Sequence, residues 1–484
     1  MNYKMIGRFT AQILAIEALF MLPALAISLY CGERQASLGF LYTLLMLAAA
    51  VLVLFLVCRG APNAFQAREG LVCVGISWIV LSLLGCMPFF LSREIPRYID
   101  AFFEIVSGFT TTGASILENV EGLSKGMLYW RSFSHWLGGM GVLVFLLAFT
   151  PQDKDGSGFT MHLLRAESPG PNVGKLVPRM RKTAGILYMI YIFLTIVNIL
   201  FLLLGKMPLL DAVCTAFGTA GTGGFGIKND SMASYSPYIQ NVCTVFMLLF
   251  GVNFSCYFLL LAGQIRSVFK DEELRLYFGI VLGSIAAIVL NLRGFYATLA
   301  ETVRHAAFQV SSIITTTGFA TTDFDLWPSF SKGILLALMV VGACAGSTGG
   351  GIKCARVLLL LKILRRNIRQ VLHPRKVQVI RVGDQIISEK VLDNTNAYLA
   401  AYVVIIIASY LLISLDGFPM ETGFSAVLSC FNNIGPGLEL AGPTRNYAAF
   451  SDFSKLVLIG DMLAGRLEIF PILVLFSGST WRHR

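Results

Sequence analysis

The chain has 484 residues, of which 56% are hydrophobic and only 14% charged, and its mean hydropathy is +0.71. A soluble domain of this length would carry about 25% charged residues, so composition excludes a soluble enzyme and points to an all-α polytopic membrane protein. The net charge of +10 does not mark a nucleic-acid surface, because the basic residues fall in short loops between apolar runs.

Two apolar runs, 9–30 and 38–57, come first. Each is long enough to cross a hydrocarbon core of roughly 30 Å. The first is too long for the apolar part of a removable signal, and a second span follows at once. No run alternates with period two, which excludes a barrel. The ten cysteines lack CxxC pairs or interleaved histidines. They read as small core side chains, with no disulfide framework and no zinc site.

A three-part unit then begins: a span at 72–91, a short semi-apolar stretch opened by Asp100, and a span at 128–150. It recurs three times. Spans 184–204, 276–292 and 396–415 are followed by short stretches opened by Asp211, Glu301 and Glu421, then by spans at 238–263, 331–362 and 452–476. Segments of 10–12 residues are too short to cross and read as re-entrant helices. An acid near the start suits a helix N-terminus, and the partly negative C-terminus then points into the membrane, where it favours a cation. The expected organisation is therefore two leading helices (1–70), repeat 1 (71–152), repeat 2 (183–265), repeat 3 (275–365), a basic loop (366–395) and repeat 4 (396–484), with about ten spans.

Each short stretch runs into a polar, glycine-bearing loop: Thr111-Thr112-Gly113, Gly221-Thr222-Gly223, Thr316-Thr317-Gly318 and Asn433-Ile434-Gly435. The glycines 113, 223, 318 and 435 lie at intervals of 110, 95 and 117 residues. A dehydrated cation needs oxygen ligands on all sides, and rings of backbone carbonyls supply them. Glycine permits the dihedrals such a ring demands, and threonine adds a hydroxyl. One such loop alone reads as a turn; four, each between a half-span and a full span, read as four walls of one hole.

Loop charge orients the chain. Lys154, Arg165, Lys175, Arg179, Arg181 and Lys182 in one loop, Arg266, Lys270 and Arg275 in another, and Arg365, Arg366, Arg369, Arg375, Lys376, Arg381 and Lys390 in a third all lie opposite the glycine loops. That side is cytoplasmic by the positive-inside rule. The glycine-loop side carries Glu94, Asp100, Glu104, Glu118, Glu121, Asp211, Asp230, Glu301, Asp323, Asp325, Glu421 and Glu439. An acidic mouth that concentrates cations is expected.

Span 331–362 is interrupted by Gly346-Ser347-Thr348-Gly349-Gly350-Gly351. It is not a phosphate loop: Ile352 follows where lysine is required, and no strand precedes it. Arg466 lies within the last span, with Asp461 and Glu468 nearby. A charge at that depth faces either a cavity or a partner, so a pore-facing barrier and a helix-stapling ion pair are both open. His135 reads as a packing or hydrogen-bonding residue. No DxD or HExxH motif suggests a membrane enzyme.

These motifs, with Trp136-Leu137-Gly138-Gly139-Met140-Gly141 and Gly465-Arg466-Leu467-Glu468, make the chain resemble the Trk/Ktr/HKT superfamily of potassium uptake proteins over its whole length. The resemblance implies one pore per monomer, walled by four pseudo-symmetric repeats. K+ would be the transported ion, and this chain would bind no nucleotide. Gly113, rather than the serine of sodium-preferring members, implies potassium preference. The glycine run would be an intramembrane gating loop, with Arg466 beside it in the pore. A homodimer, an inner-membrane location and a TrkA-like cytoplasmic nucleotide-binding subunit are implied as well. The alternative is a symporter coupling potassium to protons or sodium. It would want an intramembrane carboxylate relay, for which Asp461 and Glu468 are the candidates.

Overall fold

The computed structural model describes residues 2–60, 67–141, 180–376, 378–383 and 385–481. Repeat 1's second span beyond residue 141, and loop residues Lys154, Arg165, Lys175 and Arg179, lie outside the described residues. Helices α1 (Tyr3–Tyr30) and α2 (Arg34–Val57) form a hairpin against the rest. Leu45, Leu52, Phe55 and Val57 of α2 are exposed, as a lipid-facing surface requires, because hydrocarbon leaves no reason to bury them.

The first spans of the repeats are α3 (Ala67–Gly85), extended by α4 (Met87–Leu91), then α7 (Met180–Leu204), α12 (Glu272–Asn291) and α16 (Glu389–Ile413). After each comes a half-length helix: α5 (Tyr98–Phe109), α8 (Leu209–Ala220), α13 (Leu299–Ile314) and α17 (Met420–Phe431). Asp100, Asp211, Glu301 and Glu421 stand in their first turns, complementing the positive end of the dipole. The other ends are buried at the centre of the molecule.

The second spans are α6 (Lys125–Gly139), α9 (Pro237–Phe250) with α10 (Phe254–Leu261), α14 (Ser329–Val341) with α15 (Cys354–Leu372), and α18 (Asp452–Arg466) with α19 (Phe470–Phe476). Ser124, Ser236 and Ser451 cap α6, α9 and α18 by accepting the N–H three residues on, as short hydroxyl side chains do at helix starts. The break in repeat 3 was expected from its glycines. The other two correct the sequence reading: 238–263 and 452–476 are not continuous spans. α9 and α10 meet at a bend of 87°, and α18 is separated from α19 by Glu468 and Ile469 at φ 56° and 67°. Among the described residues, six helices are long and apolar enough to cross a membrane unbroken, or seven with the bent pair; broken second spans account for most of the difference from ten.

α11 (Ile265–Lys270) links repeats 2 and 3. A two-residue hairpin, β1 (Arg381–Val382) and β2 (Gln385–Ile386), joins repeat 3 to repeat 4. Its flanking Ile380 and Ile387 pack on Leu359 and Ile363 of α15. The short α20 (Gly478–Trp481) ends the described chain.

Candidate ion-conduction site

The four half-helices end in the same backbone motif. Their capping residues are Thr110, Gly221, Thr315 and Asn432. The next residues, Thr111, Thr222, Thr316 and Asn433, have φ of 56°, 53°, 57° and 56°, a left-handed conformation uncommon outside glycine. Two residues further on, Gly113, Gly224, Gly318 and Gly435 have φ of 81°, 74°, 85° and 101°. The repeat-2 equivalent of Thr111-Thr112-Gly113 is therefore Thr222-Gly223-Gly224. The predicted triplet Gly221-Thr222-Gly223 begins one residue early, and Gly221 is the helix cap.

These glycines close a circle. A Cβ on Gly113 would overlap the carbonyl oxygen of Gly223, one on Gly224 that of Thr317, and one on Gly318 that of Ile434. One on Gly435 would stand 2.7 Å from the carbonyl oxygen of Thr112. The ring glycine of each repeat thus lies against the backbone of the next, and repeat 4 returns to repeat 1. All four glycines line one outward-opening cavity. With four helix C-termini aimed at it, the ring is a site of concentrated negative potential.

The threonine hydroxyls turn into the wall. Asn433 Nδ2 donates to Thr112 Oγ1 at 3.0 Å, Thr112 and Thr110 pair at 2.8 Å, and Thr110 donates to the Val106 carbonyl at 2.7 Å. Thr317, Thr315 and the Ser311 carbonyl form the matching chain in repeat 3. These hydroxyls brace the loops. Asn433's cross-repeat amide was not foreseen from its side-chain type.

Beneath the ring lies the glycine-rich loop. Gly350 N–H donates to Thr316 Oγ1 at 2.6 Å, so the loop hangs directly from repeat 3's filter-like turn. Phe254 N–H donates to the Gly346 carbonyl at 3.0 Å, and Cys344 N–H to Gly251's at 3.1 Å; the breaks in repeats 2 and 3 therefore pair with each other. Ser347 bonds back to the Cys344 carbonyl. A Cβ on Gly349 would stand 2.8 Å from the Thr315 carbonyl oxygen, and one on Gly351 2.8 Å from the α-carbon of Gly342.

Arg466 reaches under the ring. It donates to the carbonyls of Gly138, Gly139 (2.7 Å) and Thr348 (3.0 Å), and lies 3.5 Å from Thr111 Oγ1. It joins repeats 1, 3 and 4 at one point. Glu468 pairs with Arg356, whose guanidinium also covers the Tyr398 ring at 4.1 Å, and Asp461 accepts from Ser409 at 2.6 Å. A second cation sits here that the sequence reading passed over: Lys353, buried at φ 79°, donates to the Gly349 carbonyl. Its signal was its place two residues after the glycine run.

The expected acidic mouth is not what lines the cavity. Glu118 is there with Arg131, Lys228 and Arg445. Most outer acids instead staple loops: Asp100 pairs with Lys455, Asp211 accepts from Tyr235, Glu121 from Asn229 N–H, and Asp325 from Glu439 N–H. Glu94 accepts from Ser124 N–H, and burial holds its carboxyl above the ordinary value.

Fold and ring together define a multi-pass helical membrane transport protein. The family described as TrkH, Cation transport protein, matches residues 39–483. The Trk system potassium uptake protein TrkH of Salmonella typhimurium is 35% identical over 490 residues, covering 100% of both chains. TrkG of Escherichia coli is 31% identical over 481 residues, covering 96% of each. The crystal structure of the potassium transporter TrkH from Vibrio parahaemolyticus superposes with a TM-score of 0.89 at 33% identity over 100% of both chains. The chain belongs to the TrkH family.

Proposed function

We propose that this chain takes up potassium across the bacterial inner membrane through a gated, channel-like conduit. The carrying observation is the closed ring in which each repeat's glycine lies against its neighbour's backbone carbonyl. Potassium sheds water at the mouth and is held by the carbonyls of Thr112, Gly223, Thr317 and Ile434 and those flanking them. The membrane potential drives it, worth about 2.3 kcal/mol per charge per 100 mV. Below the ring, the loop of Gly346, Ser347, Thr348, Gly349, Gly350 and Gly351 and the guanidinium of Arg466 close the path, and their withdrawal opens it.

Coupled symport has less support. Of the two candidate relay carboxylates, Glu468 is paired with Arg356, and Asp461 accepts from Ser409 at one oxygen. A homodimer and a TrkA-like nucleotide-binding subunit acting on the gating loop complete the reading, with the basic segment 365–376 facing the cytoplasm as a surface such a subunit could reach. Potassium-limited growth with Gly113→Ser tests the filter. Uptake and potassium-over-sodium preference should both fall; preference left intact would remove the filter assignment. Reversal potentials that follow potassium alone at varied pH and sodium are expected of a conduit, whereas shifts with protons or sodium would favour symport.

A further inference from the structure

α6 presents Arg131 and His135 four residues apart, on one helix face, and both are buried. Arg131 Nε donates to Glu104 Oε1 at 2.6 Å and Nη1 to the Gly226 carbonyl at 2.9 Å. Its guanidinium lies 3.5 Å from the centre of the Phe225 ring. His135 Nδ1 stands 2.8 Å from the Gly108 carbonyl, and Phe225 N–H points to His135 Nε2 at 3.3 Å. A carbonyl only accepts and an N–H only donates, so these partners assign a neutral imidazole with its proton on Nδ1. Its ring centre is 4.1 Å from that of Phe225.

This clamp of Arg131 and His135 falls at a repeat that lacks the hydroxyl pair. Repeats 1 and 3 brace their loops with hydroxyl pairs, Thr110 with Thr112 and Thr315 with Thr317. Repeat 2 has Gly221 and Gly223 at both places. A Cβ on Gly223 would overlap the His135 ring: the imidazole occupies the room a threonine would need. Glu104, meanwhile, accepts from Ser115 Oγ and Ile116 N–H, both at 2.9 Å. One network thus holds the residues that follow Gly113 and those that follow Gly224.

We propose that Arg131 and His135 are positioning residues for ion selection: they fix the outgoing end of repeat 2's loop against repeat 1 and so set where the Gly223 and Gly224 carbonyls stand. This rests on the filter reading above. Whether selection depends on ring size or on the field of the carbonyls, it depends on their placement.

The test is potassium uptake by the full-length protein in cells holding its native partners and no other uptake route, with sodium as competitor and protein amount measured. His135→Leu keeps bulk but removes both hydrogen bonds. His135→Gln can still donate to the Gly108 carbonyl and accept from Phe225 N–H. Arg131→Lys keeps the charge but loses the planar fork and stacking. His135→Leu and Arg131→Lys should lower potassium-over-sodium preference about tenfold, the scale of one misplaced buried hydrogen bond, with His135→Gln within about twofold of the parent. A purely structural role would reduce amount and maximal rate at unchanged preference and KM, and that result overturns the proposal. Should His135→Leu fail to accumulate, Arg131→Lys decides alone. Gly113→Ser runs alongside: if it shifts preference and the clamp variants do not, only the clamp falls, and if it too is silent, the filter reading falls and takes the clamp with it.

Discussion

Arg466 donates to carbonyls from two other repeats and stands at the hydroxyl of Thr111, so under the proposed function its removal would free the loop and take away a positive charge together. Arg466→Ala should raise single-channel potassium conductance and the fraction of time open; unchanged conductance and gating would show that it only staples helices. The same scale holds the register of the ring. Gly224→Ala places a Cβ against the Thr317 carbonyl at φ 74°, where a non-glycine residue costs roughly 1–2 kcal/mol before any overlap. It should match Gly113→Ala, with uptake reduced about tenfold or more. A Gly224→Ala protein with normal uptake, measured at equal abundance, would return the filter position to Gly223. Sequence could not choose between these two, because Gly223 and Gly224 are adjacent and spacing to the other repeats accommodates either. Only the left-handed φ at Thr222 sets the count.

The half-helices were legible because length is decisive: about a dozen apolar residues cannot cross a bilayer, whatever their identity. The breaks were legible only where glycines accumulate, as at 342–351. At 251–253 a single Gly-Val-Asn lies within continuous apolarity, and at Glu468 and Ile469 no residue type announces the turn; Ile469 is a β-branched residue at positive φ, which tertiary packing must hold in place. These breaks meet around the glycine-rich loop, and Lys353 is its buried latch. Lys353→Met keeps the stem's bulk and removes the donor to the Gly349 carbonyl. The expected result is a loop released more easily, seen as several-fold higher potassium leak in cells holding the variant than in cells holding equal amounts of the parent protein. Leak at the parent level, with the loop's protection from hydrogen exchange unchanged, would show that the latch lies elsewhere.

A four-repeat ring must be closed by contacts between its first and last members, and these are the most distant in the chain. Asn433 reaches Thr112, Tyr447 N–H donates to the Ser115 carbonyl at 2.8 Å, and its hydroxyl to the Gly435 carbonyl at 2.8 Å. Two ion pairs lie farther out on the same seam. Arg97 meets Asp452 with side chains 57% and 49% exposed, while Lys455 meets Asp100 at 2.7 Å with its own side chain only 1% exposed. Physical chemistry separates their worth. An exposed pair is screened and contributes about 0–1 kcal/mol, whereas removing one partner of a buried pair leaves a desolvated charge and costs about 3–5 kcal/mol. Asp100→Asn should therefore lower the thermal unfolding midpoint of the purified protein clearly, and Arg97→Ala hardly at all. Asp100→Asn/Lys455→Met should recover much of the loss, because no buried charge is then unpaired. Equal effects from both single variants would mean that the seam is held by backbone contacts around Gly435 and Thr112, with the ion pairs merely following its shape.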